Sequence, residues 1–174
     1  MRAMMLERDS GRLELCELPR PEPRADEILL KVRACGVCRT DLHIVDGELT
    51  PPAWPVIPGH EVVGEVMALG QAVRGFEVGD VAGLAWLAGT CGTCEYCRRG
   101  EENLCPNAEF TGFSRFGGYA DYVTARADFA YKLPLEADAV AVAPLLCAGL
   151  IGYRTWRKAG PAESIGLYGF GAAA

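Results

Sequence analysis

Four cysteines, Cys91, Cys94, Cys97 and Cys105, fall within fifteen residues in the spacing C-x2-C-x2-C-x7-C. No other stretch restricts the fold so strongly. Two-residue gaps let neighbouring thiolates turn back toward one centre, and the seven-residue excursion brings in the fourth from another side. Four converging thiolates suit tetrahedral Zn2+, which deprotonates the thiols itself. An iron–sulfur cluster is the sharper rival, because ferredoxin runs also open C-x2-C-x2-C and Pro106 follows the last cysteine here. Those runs close after three residues, however, where this one takes seven. A pair of disulfides would fit an oxidising compartment, to which nothing in the chain points. With all four positions taken by protein, the loop is a fastening. The chemistry has to lie elsewhere.

The chain has 174 residues, room for one sizeable core or for one domain and the start of a second. Its net charge of −6 and the lack of a Lys/Arg stripe argue against nucleic acid or an anionic membrane surface as partner. Arg98-Arg99 is a lone basic pair and reads as a solvated loop tip. The first residues reach Glu7 before an apolar region forms, so no signal peptide is expected. No apolar run approaches membrane-spanning length. Eight cysteines without a secretory signal then favour metal or thiol chemistry, and the cytoplasm is the expected location.

Short strands dominate the first two thirds. Residues 2–6 and 13–18 read as a hairpin around Asp9-Ser10-Gly11. Residues 27–37 alternate, with Ile28, Leu30, Val32 and Ala34 on one face and Leu29, Lys31, Arg33 and Cys35 on the other. Gly36 breaks that strand, and residues 40–43 form one or two helical turns. Four prolines between 51 and 58 exclude regular structure there. Strands follow at 62–70, 81–87, 119–125 and 129–133, separated by Gly/Pro turns, the pattern of a small barrel or sandwich. After Pro134 the pattern changes. Residues 136–143 and 145–157 are helical, the second with cations at its end, as a helix dipole favours. Residues 164–168 then read as a strand entering Gly169-Phe170-Gly171-Ala172-Ala173-Ala174.

Gly-x-Gly-x-x-Ala after a strand opens a dinucleotide-binding β-α-β unit, where Gly169 and Gly171 would let a pyrophosphate approach the backbone. Small residues also serve tight turns, so the motif is weak alone. It implies that residues 163–174 begin a second domain whose remainder lies outside this sequence. Only two histidines exist, His43 and His60, both at loops that interrupt strand-like runs and both beside reactive neighbours.

Gly36-Val37-Cys38-Arg39-Thr40-Asp41-Leu42-His43, Pro58-Gly59-His60-Glu61, the four-cysteine loop, Cys147 ahead of a helix and the closing glycine motif occur in one order. In that order they resemble the zinc-dependent medium-chain alcohol dehydrogenases, over essentially the whole chain. The resemblance implies a mostly β fold with some α: a GroES-like, partly open β-barrel catalytic domain over residues 1–143. Residues 144–174 would then hold a linking helix and the first strand of a Rossmann α/β domain. It implies two Zn2+ per chain, one structural at the four-cysteine loop and one catalytic, with NAD or NADP as hydride acceptor and a small alcohol or aldehyde as substrate. A homo-oligomer, dimer or tetramer, is expected of the full-length protein, and negligible turnover of these residues alone.

Carried over, Cys38, His60 and Cys147 match the catalytic zinc ligands, the Cys2His set known from alcohol dehydrogenase. Glu61 matches a carboxylate that enters the zinc shell, and Asp41 an acceptor that orients the His60 imidazole. Thr40 and His43 match a proton relay to solvent and contact the cofactor. Arg39 is placed for the cofactor pyrophosphate. Trp86 is expected to line the substrate pocket, with Leu49 and Trp54 as weaker candidates, and Cys16 and Cys35 to pack. Polyol, threonine or formaldehyde dehydrogenases share the pattern, and a zinc-stabilised module without catalysis is the alternative from another class.

Overall fold

A computed structural model describes residues 1–173. In chain order it contains β1 (Arg2–Leu6), β2 (Leu13–Glu17), β3 (Glu27–Gly36), α1 (Arg39–Val45), β4 (Glu61–Leu69), β5 (Val81–Leu84) and β6 (Leu87–Gly89). There follow α2 (Glu95–Arg98), β7 (Glu109–Phe110), β8 (Tyr122–Arg126), β9 (Ala130–Leu133), α3 (Ala139–Val142) and α4 (Ala148–Ala159). Four of the strands build two small ribbons, β1 with β2 and β6 with β7. The hairpin turn holds both Asp9 and Gly11 at φ +62°, the conformation that Asp and Gly tolerate best.

The main sheet is antiparallel throughout, in the order β8-β3-β4-β5-β9. Its two edge strands are joined by the short turn Ala127–Phe129. A flat five-stranded sheet would hold its edges about 19 Å apart, whereas Arg126 to Ala130 spans at most roughly 14 Å of chain. The sheet therefore curls toward closure. Its edges nevertheless stay unpaired with each other, which makes it a partly open barrel. Inside the curl lie Ile28, Leu30, Val62, Val66, Ala82, Leu84, Val123 and Ala125.

The alternation expected along β3 reverses partway. The register with β4 shifts between Val32 and Ala34, so Arg33 is an extra residue without a partner. Beyond it Cys35, not Ala34, packs with Ile28 and Leu30, while Ala34 joins Val63, Val81, Ala85, Ala143 and Leu146 in a second cluster. One inserted residue moves every later side chain to the opposite face.

The helices also start later than composition implied. α3 begins after Asp138, whose carboxylate accepts the amides of Val140 and Ala141. A 3-10 turn (Ala143–Leu146) then leads to Cys147, and α4 follows at a bend of 51°. Residues 164–168 form no strand: Ile165, Leu167 and Tyr168 are exposed. A strand needs a neighbour to satisfy its amides and carbonyls, and among the described residues none runs alongside. Ala174, the last position of the glycine motif, lies outside the described residues. Among them no single helix is long and apolar enough to cross a membrane.

Candidate metal centre and its surroundings

Two clusters of metal-ligating side chains form. In the first, the sulfurs of Cys91, Cys94, Cys97 and Cys105 lie within 4.8 Å of one another. Cys94 and Cys97 are 3.4 Å apart, Cys91 and Cys105 3.6 Å, and Cys91 and Cys97 4.0 Å. Ligands on a tetrahedral zinc sit about 3.8 Å apart, from a Zn–S length near 2.3 Å. A disulfide needs about 2.05 Å, and all eight cysteines are free. Backbone amides of Thr93 and Cys94 point at the Cys91 sulfur and hold its pKa down near 5, so the loop already favours a thiolate there. The donor set fits one ion.

The second cluster draws on four separate parts of the chain. Cys38 caps α1: its sulfur accepts the amide of Thr40 at 3.3 Å, while its own amide donates to Asp41 Oδ2 at 2.9 Å. This reciprocal arrangement fixes the entry to the helix. His60 immediately precedes β4, which begins at Glu61, after a turn at Gly59, where φ is +96°. A Cβ on Gly59 would meet the ring of Tyr119 at 2.6 Å and the sulfur of Cys35 at 2.7 Å. Cys147 projects from the joint before α4. That joint is anchored by buried Leu146, which fills the space above Gly83, where a Cβ would meet it at 2.9 Å.

Ligand atoms of Cys38, His60, Glu61 and Cys147 all lie within 4.8 Å of one another. Cys38 Sγ is 3.1 Å from His60 Nε2. The opposite ring nitrogen, His60 Nδ1, is buried without a properly aligned hydrogen bond, and Asp41 Oδ1 stands 3.5 Å from it. A metal on Nε2 would place the proton on Nδ1, facing that carboxylate. Asp41 is itself buried and accepts the amides of Cys38 and Gly59. Burial would raise its pKa, but His60 and these amides outweigh it and hold the carboxyl ionised. Burial pushes Cys147 up to about 12, helped by Cys38 and Glu61, and also raises Glu61. Crowded anionic donors behave this way until a cation joins them, when the preference inverts. Two thiols, an imidazole and a carboxylate fit zinc.

Around this centre the aromatic side chains are ordered. The Trp86 ring stands edge-on to His60 at 5.1 Å, stacks on Phe110 at 5.0 Å and tilts against Phe113 at 5.7 Å. Leu49 and Trp54 pack one layer out, with Leu6, Ile44, Val56 and Phe113. Thr40 and His43 lie on α1 one turn apart, and His43 Nδ1 contacts the carboxylate of Glu48. Arg39 is exposed at the start of α1. Gly169 and Gly171 lie in the exposed end segment, apart from this group. Cys16 bonds the carbonyl of Ala3, and Cys35 packs in the barrel with its thiol raised to about 12 by burial.

Phe110, Phe113, Tyr119 and Glu48 were not legible as site residues. The aromatic pair at Phe110 and Phe113 was the one available signal; nothing local marks the other two.

Residues 24–135 match the alcohol dehydrogenase GroES-like domain. The chain belongs to the alcohol dehydrogenase family. It is 50% identical over 173 residues to a Mycobacterium tuberculosis (strain CDC 1551 / Oshkosh) protein named "Probable alcohol dehydrogenase AdhA", covering 95% of this chain and 50% of that one. Among solved structures it resembles the cobalt- and zinc-bound thermostable alcohol dehydrogenase of Pyrobaculum aerophilum, with TM-score 0.84 and 29% identity over 92% of this chain and 49% of that one. It also resembles acetophenone reductase of Geotrichum candidum in complex with NAD, with TM-score 0.81 and 34% identity over 92% and 48%. The chain spans about half the length of the curated relatives it matches.

Proposed function

We propose that this chain is the substrate- and metal-binding half of an NAD(P)-dependent zinc alcohol dehydrogenase, which oxidises alcohols reversibly to aldehydes or ketones. One observation carries the reading: Cys38, His60, Glu61 and Cys147 converge within 4.8 Å although the sequence separates them by up to 109 positions. Relatives bound to zinc and to NAD support the same assignment.

Zinc held by Cys38, His60 and Cys147 would supply Lewis acidity toward the alcohol oxygen, with Glu61 within reach as a further ligand. NAD(P) would take up the hydride. The remaining tasks fall to the protein's own side chains. Asp41 keeps the His60 ring in one orientation and tautomer. The Thr40 hydroxyl, one turn before His43 on α1, passes the substrate proton outward, and the half-exposed His43 ring releases it to water. Trp86, Phe110 and Phe113 wall one side and exclude water there, which favours alcohols with an apolar substituent. Cys91, Cys94, Cys97 and Cys105 fasten their loop around a second zinc.

Elemental analysis of protein prepared without chelator tests the reading. Two zincs per chain are expected, one of them lost in Cys38→Ser and the other in Cys91→Ser. One zinc, retained in Cys38→Ser, would remove the catalytic assignment. Iron at the four-cysteine loop would replace the structural one.

A further inference from the structure

His43 and Glu48 form the one pair in which a group assigned to proton transfer meets a carboxylate with no other assigned role. The contact is built into the fold. α1 ends at Asp46, whose amide returns to the carbonyl of Leu42, and Gly47 follows at φ +76°, which reverses the chain. The amide of Leu49 then donates to the carbonyl of His43 at 2.9 Å. The Leu49 side chain packs with Ile44, Val56, Trp54 and Phe113. Glu48 is therefore delivered to the His43 ring between the reversal at Gly47 and the backbone bond and apolar anchor of Leu49. A surface pair alone, with side chains 39% and 57% exposed, would hold it weakly.

Other charged groups stand near. Arg39 lies one turn earlier on α1, Asp46 caps its end, and Glu7, Arg8 and Asp9 of the β1–β2 turn line a cavity shared with Ile44, Val45 and Gly47. Among the described residues, Glu48 alone hydrogen-bonds or ion-pairs with the His43 ring.

We infer that Glu48 is a positioning residue for His43: it fixes the neutral imidazole as the Nδ1–H tautomer and leaves Nε2 as the nitrogen that takes up a proton. An ionised carboxylate only accepts hydrogen bonds, so the ring nitrogen facing it must carry hydrogen. The other nitrogen then keeps its lone pair. When a proton arrives at Nε2, the imidazolium is stabilised by the same carboxylate. The use of that proton rests on the alcohol dehydrogenase reading above. The tautomer does not.

The test is nuclear magnetic resonance of the 15N-labelled chain, which has only two histidines; His43→Asn assigns the signals. The parent is expected to show His43 as Nδ1–H when neutral. Glu48→Gln is expected to loosen the preference, because its side-chain amide can donate to the ring as well as accept from it. Glu48→Ala is expected to shift the neutral ring toward Nε2–H, while Asp46→Asn does not. An Nε2–H tautomer in the parent, or a tautomer unchanged in both Glu48 variants, would overturn the inference. Unaltered amide spectra away from residues 43–49 exclude misfolding as the cause. The measurement needs neither turnover nor metal, so its outcome is separate from that of the zinc analysis.

Discussion

Glu61 occupies the space into which a side chain at Gly36 would grow. The two residues are partners across β3 and β4, and a Cβ on Gly36 would lie 1.9 Å from Glu61 Oε2 and 3.0 Å from its Cβ. Gly36 thus ends the strand before Cys38 and also makes room for the carboxylate of the metal centre. Gly36→Ala should displace the buried Glu61 side chain and cost about 1–3 kcal/mol by overpacking. Denaturant unfolding measures the loss. Zinc content should fall toward one per chain, and full retention of both stability and metal would show that Glu61 moves aside freely.

The ion pair between Arg115 and Glu27 ties the loop carrying Phe110 and Phe113 to the first residue of β3. Both side chains are largely buried, and Arg115 also reaches Glu109 at 3.3 Å. Removing one partner strands a buried charge, so Arg115→Met should cost about 3 kcal/mol, and Glu27→Gln a comparable amount. In the double variant the cost should be well below the sum, because neither charge is left alone. Additive losses would mean that the pair is not coupled.

The same pair sets a pH dependence. Burial would raise the Glu27 pKa, but the hydrogen bond from Arg115 and the Arg24 amide prevail and hold it below 4.5. A carboxyl with a depressed folded-state pKa stabilises the fold above its unfolded value, and that contribution fades as pH falls through the folded value. Stability should therefore decline below about pH 4.5, with a smaller decline in Arg115→Met than in the parent. Equal slopes would sink this account.

The four-cysteine loop depends on its metal more than the barrel does. α2 and the adjoining 3-10 turn (Glu102–Leu104) bury no residue, and only Cys105 of the four sulfurs' residues is buried. Little but metal coordination then holds the loop. Chelation should open it locally, and trypsin should cut after Arg98 or Arg99 within the loop while the five-stranded sheet keeps its slow amide exchange. Simultaneous loss of protection in both would show one cooperative unit.

Trp86 offers an optical check on the second metal. With Trp54 and Trp156 replaced by phenylalanine, the single remaining indole stands 5.1 Å from the His60 ring. Cobalt in the His60 site should quench its emission relative to zinc, and Cys38→Ser should abolish the difference. Equal emission with either metal would place the ion elsewhere.

Much of this centre was readable in the sequence because ligation needs particular atoms at particular spacings. Cys91 to Cys105 carry their geometry within one loop, and Gly36 marks a strand end by itself, but the need for a missing Cβ at Gly36 and Gly59 is set by Glu61, Tyr119 and Cys35 packed against them. Strand positions were also largely legible, since alternation marks which residues face a core. The bulge at Arg33 was not, because an unpartnered residue shows only against its neighbouring strand. Residues 164–168 read as a strand by composition, yet form none without a strand beside them.

What the amino-acid order determined by itself, then, was donor chemistry, which side chains can hold a metal, together with the existence of most strands and helices. Tertiary structure alone decided which groups surround those donors. Glu48 reaches His43 through a reversal at Gly47, Phe110 and Phe113 meet Trp86 across β6 and β7, and Arg115 finds Glu27 across 88 positions of sequence. Those contacts arise because the sheet curls and packs distant segments against one another, and no local pattern encodes a distance that only the curled sheet sets.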